Sequence, residues 1–285
     1  MAALKPPMYS VAVMPILLGT AVAYSVTQQL NWLTFLTFLA SAVLILVWEN
    51  LSNDVFDAET GIDRNKHHSL VNLTGRRSLI FGLGNLCLGA GILGVLSISL
   101  TQGSAVVLGL ILACCALGYL YQGPPFRLGY LGLGELLCFP CFGPLGVSAA
   151  YYSQTGSFSW LAFWASLSLG LTTSLVLFCS HFHQVKDDIT AGKRSPIVRL
   201  GTNRGAALIP VWCGASLLLM AGPALLGFFP RWTLLSLLTV PIAVQMSRFI
   251  GRYHDQPQRV MNCKFLAVKF QFWSGLLFSL GFWLG

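Results

Sequence analysis

Residues 32–57 read WLTFLTFLASAVLILVWENLSNDVFD. No charged residue occurs from Trp32 to Trp48. An apolar run of about 20 residues is what a helix needs to cross ~30 Å of hydrocarbon. Its end is different in kind. Asn53-Asp54-Val55-Phe56-Asp57 packs an amide and two carboxylates into five residues. A membrane-spanning run that stops on a cluster of oxygen ligands sets the terms for the rest of the chain.

The whole chain repeats the first half of that pattern. Of 285 residues, 55% are hydrophobic and 9% charged, against about 25% charged in ordinary soluble domains. A soluble enzyme, a disordered chain and a secreted disulfide scaffold are thereby excluded. Nine apolar runs are expected as spans: 10–29, 32–51, 78–100, 104–121, 132–152, 159–181, 206–228, 232–250 and 265–284. They lack the period-2 alternation of barrel strands. The fold class is therefore an all-α, multi-pass integral membrane protein, a nine-helix bundle forming one domain over residues 1–285. The first run is expected to be retained, since no small-residue cleavage site follows it.

Nine spans put the N-terminus and the loops near 52–77, 122–131, 182–205 and 251–264 on one face. Of the 17 Lys and Arg, 16 lie in or beside these segments, and Arg231 alone lies opposite. That asymmetry assigns the rich face to the cytoplasm or stroma. All nine acids and all five histidines fall on the same side. Two explanations stand: longer loops on that face, or a polar chamber capping one end of the bundle. The eight cysteines sit mostly within spans, and Cys138-x-x-Cys141 has no second pair, so packing is expected of them.

Asn53 and Asp57 are four apart and share a helical face, and Asp54 and Asp57 form an i, i+3 pair. Hard oxygen ligands at a membrane boundary suit Mg²⁺, which keeps waters and bridges carboxylates to phosphates. The segment continues through Gly61, Asp63, Arg64 and Lys66. A second segment, His181-Phe182-His183-Gln184-Val185-Lys186-Asp187-Asp188, precedes Gly192-Lys193-Arg194 and Arg199. Gln184 and Asp188 repeat the four-residue spacing, and each aspartate, Asp57 and Asp188, has a glycine four residues on. Two facing acidic sites could hold Mg²⁺ around one diphosphate, with Lys66, Lys193, Arg194 and Arg199 supplying countercharge. His181 and His183, two apart, do not share a helical face as zinc ligands at i, i+4 would; hydrogen bonding within the chamber is the plainer role. Tyr121-Gln122-Gly123-Pro124-Pro125-Phe126-Arg127 ends the fourth run with two prolines. Taken alone it is a loop with one cation.

These three segments resemble the UbiA superfamily of membrane prenyltransferases. The resemblance rests on Asn53-Asp54-x-x-Asp57, on Tyr121-x-x-Pro124-Pro125-x-Arg127 and on the second acidic loop. The pairing of 50–57 with 181–201 is similar to its naphthoate branch of cyanobacterial and plastid type. The resemblance implies Mg²⁺-dependent transfer of a phytyl or other polyprenyl group from its diphosphate to 1,4-dihydroxy-2-naphthoate, with loss of CO₂. It implies metal ligands among Asn53, Asp54, Asp57, Gln184, Asp187 and Asp188. Diphosphate contacts fall to Lys66, Tyr121, Arg127, Lys193, Arg194 and Arg199. Candidates near the acceptor are Asp63, Arg64, Arg76, Arg77, His181 and His183. The implied partners are the prenyl diphosphate, an aromatic carboxylate and membrane lipid, with no nucleic acid. A cyanobacterial plasma or thylakoid membrane is the implied location, with the site on the cytoplasmic side. One departure matters: the second motif of the superfamily is usually D-x-x-x-D, and Gln184 takes its first place. Whether Asp187 or Asp188 touches metal stays open at this point.

Rival classes are weaker. A transporter calls for polar or ionisable residues at the midplane of broken helices, whereas these spans are nearly uncharged away from one face. A structural subunit leaves two acidic motifs unexplained. CDP-alcohol phosphotransferases carry a longer acidic run that is missing here. Homogentisate prenyltransferases and chlorophyll synthases share the motifs and are the nearest alternatives for substrate.

Overall fold

A computed structural model describes residues 6–62 and 69–285. Asp63, Arg64 and Lys66 lie outside the described residues. Helices run Pro6–Thr27 (α1), Trp32–Thr60 (α2), Leu70–Thr74 (α3), Arg77–Gln102 (α4) and Val106–Gln122 (α5). They continue as Gly134–Pro140 (α6), Gly146–Thr155 (α7), Trp160–Ser180 (α8), Val185–Thr190 (α9), Pro196–Leu200 (α10) and Thr202–Leu225 (α11). Val240–Tyr253 (α12), Pro257–Val260 (α13) and Cys263–Leu284 (α14) complete the set. No strand occurs among the described residues.

Among the described residues, eight segments are long and apolar enough to cross a membrane. The fourth expected span corresponds to α5, apolar but only 17 residues long, or about 26 Å at 1.5 Å per residue. The fifth is broken. Pro140 precedes and Pro144 lies within a wide turn over Cys141–Leu145, where Gly143 leaves helical geometry (φ −103°, ψ −109°). Proline removes a helix donor and crowds the preceding turn, so a break is expected there. The eighth begins as a tighter 3₁₀ helix, Arg231–Thr239, before α12.

The larger difference lies in α2. The sequence places a loop from 52 onward, yet the helix runs on to Thr60 and stops at Gly61, which takes a left-handed φ of 73°. The whole Asn53–Asp57 motif is therefore helical. Asn53 and Asp57 share one side of this rod, as their spacing implies, and Asp54 is turned about 100° from Asn53.

Packing follows membrane rules, in which close backbone approach replaces hydrophobic drive. At Gly19 of α1 a side chain would strike the Val147 carbonyl and Ala150 of α7. Leu33, Leu86, Leu100, Trp160 and Leu218 are exposed, as a hydrocarbon-facing surface requires. At one end, Asn31 donates its backbone N–H to Gln154 and the Gln102 amide bonds the carbonyls of Tyr152 and Ser153. This end holds short turns. The acidic motifs gather at the other.

Candidate active site

The polar end is assembled from three loops and the helix ends that carry them. Asp57, buried, accepts a hydrogen bond from the Tyr130 hydroxyl (3.3 Å), which also meets Thr60 Oγ1 at 2.6 Å. Asp54, likewise buried, accepts the Leu70 N–H at 2.9 Å. It thus serves the first turn of α3, whose own cap residue Ser69 makes no side-chain cap bond. Glu59 receives both Arg77 and Arg127, the latter at 2.7 Å. The Arg194 N–H bonds the Tyr130 carbonyl (2.7 Å), and the Arg199 guanidinium bonds the carbonyls of Leu131 and Arg194. Arg199 therefore laces the second loop to the third.

The second acidic loop is no longer ambiguous in its facing. Gln184 precedes α9, and its carbonyl accepts the Asp188 N–H at 2.8 Å. That turn buries Asp188 completely and leaves Asp187 exposed. Around Asp188 stand His181 Nδ1 at 3.5 Å and Lys193 Nζ at 3.8 Å. Burial pushes the Asp188 carboxyl up, but the His181 ring and the Lys193 ammonium hold it below its ordinary value. Burial lowers His181 in turn, and Tyr130 is raised by burial and by Asp57. At these separations neither Asp188 oxygen has a hydrogen-bond partner among the described residues.

One residue was missed as a site residue from sequence. Glu135, on the first turn of α6, is buried, has no hydrogen bond to either carboxylate oxygen among the described residues, and lies 3.5 Å from His181 Nε2. It reads in sequence as one acid at the head of an apolar run; the only available signal was its being one of so few acids. His181 thus bridges Glu135 and Asp188, while His183 sits half-buried beside it in the chain. Arg76, Arg77 and Arg194 are exposed.

Below this cap a cavity of about 260 Å³ enters the bundle. Asn53, Tyr121 and Ser180 line it at the polar end, and Phe38, Ile16 and Ile111 line it deep inside. From Asn53 to Phe38 along α2 is about 22 Å at 1.5 Å per residue. Tyr121 stands at the entrance with its ring laid on backbone. A side chain at Gly134 would come within 2.7 Å of that ring, and one at Gly129 within 2.5 Å. Gly134→Val is expected to push Tyr121 into the entrance. Turnover should fall at least about tenfold, with a stability loss of roughly 1–3 kcal/mol typical of overpacking; a membrane activity assay and a detergent melting curve would check both.

The donors suit a hard cation. No group of three or more His, Cys, Asp or Glu forms a preset metal cage among the described residues. Mg²⁺ does not need one: it binds through one or two carboxylates, waters and substrate phosphates. Asp188, buried with neither oxygen hydrogen-bonded among the described residues, is the observation that fits.

Residues 12–276 match the model of the UbiA prenyltransferase family. The chain is 54% identical over 286 residues to the 2-carboxy-1,4-naphthoquinone phytyltransferase of Synechocystis sp., spanning all of this chain and 93% of that protein. It is 39% identical to the chloroplastic 2-carboxy-1,4-naphthoquinone phytyltransferase of Arabidopsis thaliana, across 98% of this chain and 75% of that one. Among solved structures, a UbiA homolog from Archaeoglobus fulgidus bound to DMAPP and Mg²⁺ aligns with a TM-score of 0.64 at 16% identity, over 98% of both chains. At that identity the likeness concerns the fold.

Proposed function

We propose that this chain, which belongs to the UbiA prenyltransferase family, transfers a phytyl group from phytyl diphosphate to 1,4-dihydroxy-2-naphthoate, releasing CO₂ and diphosphate. The observation that carries this reading is the continuity between a polar cap and an apolar cavity. Asn53 belongs to both the acidic motif and the cavity wall, so one substrate can place its diphosphate among the carboxylates and its tail in the bundle. The names of the full-length relatives support the choice of acceptor and chain.

Asn53, Asp57 and Asp188 would hold Mg²⁺, which when bound offsets charge on the departing diphosphate. Lys193, 3.8 Å from Asp188, and Arg127, which now bonds Glu59, would meet the remaining phosphate oxygens. Lys66 has the same proposed role. The step builds charge that fixed cations and dipoles stabilise without reorganising. The apolar walls keep water from the allylic carbon while the acceptor ring attacks it. As the new C–C bond forms, the C–O bond to diphosphate breaks and its pair leaves with the phosphate. Loss of CO₂ then returns a pair to the ring.

The reading includes nine membrane crossings, counting α5, in a single domain. It also includes a site on the cytoplasmic or stromal side, supported by the distribution of cations. The test is direct. Membranes bearing the chain are given phytyl diphosphate with either 1,4-dihydroxy-2-naphthoate or homogentisate. Product is expected with the naphthoate, to vanish in EDTA and to return with added Mg²⁺. Product from homogentisate alone would overturn the acceptor, and full turnover in EDTA would overturn the metal.

A further inference from the structure

Glu49 is a carboxylate inside the apolar cavity, and neither acidic motif includes it. It lies on the face of α2 that lines the cavity, between Ile45 and Asn53. One helical turn, about 6 Å, separates it from Asn53. Its Oε2 rests against Gly118 of α5, where any side chain would come within 2.7 Å; the glycine leaves room for the carboxylate. The same wall carries Cys114, Cys115 and Cys138, whose thiols are weak donors, and the stronger donors Tyr121, Asn53 and Asn50, the last of which bonds the Leu46 carbonyl.

A polar group facing an apolar cavity is costly unless something pairs with it. A prenyl tail brings no donor. The aromatic acceptor does, in its ring hydroxyls. The reacting ring carbon must come within about 3–3.5 Å of the allylic carbon, which hangs one bond below the diphosphate. A hydroxyl on the neighbouring ring carbon then falls about one helical turn inside the acidic motif, which is the depth of Glu49.

Resting on the function proposed above, we infer that Glu49 accepts a hydrogen bond from a ring hydroxyl of the acceptor, and so both selects a hydroxylated ring and activates it. The bond draws the O–H proton toward the carboxylate and pushes electron density into the ring as it attacks. The proton stays on the pair and there is no net proton transfer, so the balance of the reaction is unchanged.

The experiment uses the full chain in lipid nanodiscs. Binding of 1,4-dihydroxy-2-naphthoate and of 2-naphthoate, which lacks both hydroxyls, is measured on wild type, Glu49→Gln and Glu49→Ala. Wild type is expected to prefer the hydroxylated ring at least about tenfold, and Glu49→Ala to lose most of that preference. In turnover, kcat/KM for the acceptor should fall at least about tenfold in Glu49→Ala, with KM for phytyl diphosphate within about twofold. Equal binding of the two naphthoates by wild type would overturn the inference whatever the variants do. So would an unchanged preference in Glu49→Ala. Absence of product from wild type with the naphthoate and Mg²⁺ would instead strike the function on which the inference rests.

Discussion

Asp188→Asn is expected to lower turnover by roughly 100- to 1000-fold, the scale seen when one element of a preorganised electrostatic site is removed. The carboxylate is fully buried and pairs with His181 at 3.5 Å and Lys193 at 3.8 Å, too far for a hydrogen bond to Lys193. Substitution removes a charge that would face both the metal and Lys193. Lys193 is itself buried, so the variant also strands a cation. Breaking one side of a buried pair typically costs about 3–5 kcal/mol, and the melting temperature should fall along with activity. Asp187→Asn is the matched control: the side chain is exposed, and both activity and melting should stay near wild type. Product formation in membranes and melting in detergent would be read together. Normal activity in Asp188→Asn would remove the second motif from the mechanism.

The second large effect is expected at Asp57. Asp57→Asn keeps the side-chain shape and one acceptor for the Tyr130 hydroxyl, 3.3 Å away, but deletes the charge. Turnover should again drop by roughly 100-fold or more. Raising Mg²⁺ should recover part of the loss if the carboxylate serves metal affinity, and a steady-state titration of Mg²⁺ would show it. A wild-type Mg²⁺ response in this variant would contradict the role assigned to Asp57.

Much of this arrangement was legible in the sequence, for identifiable reasons. Membrane helices announce themselves by length and apolarity, and charges are so few that each has a reason for its place. Asn53, Asp57 and Asp188 could be picked out because they stand at four-residue spacings beside basic clusters. Other features were hidden because they depend on where a helix ends. Glycine at 61 stops α2, so the helix carries the motif well past the apolar run, and only the packing of the other helices makes the face with Glu49 a wall of the cavity. Glu135 looked like one more acid at a boundary; only the packing of α6 against α8, through contacts such as Ser174 Oγ with the Glu135 carbonyl, brings it to His181. Arg199 looked like a phosphate ligand, whereas its donors meet backbone carbonyls. The facing of Asp187 and Asp188 required the turn that Gln184 begins.

The cavity face of α2 carries Phe38, Ala42, Ile45, Glu49 and Asn53 in order of depth, with Asp57 one turn beyond. Such a helix works as a graduated ruler. On the proposed function, its upper marks would set where bonds are made and broken, and its lower marks how many carbons fit before a tail met Phe38, which is almost fully buried. The two scales do not overlap. Substitutions at the low end could retune the length of chain accepted while the carboxylates stay untouched. A lineage with this rod could therefore change the lipid it makes without reinventing the reaction that makes it.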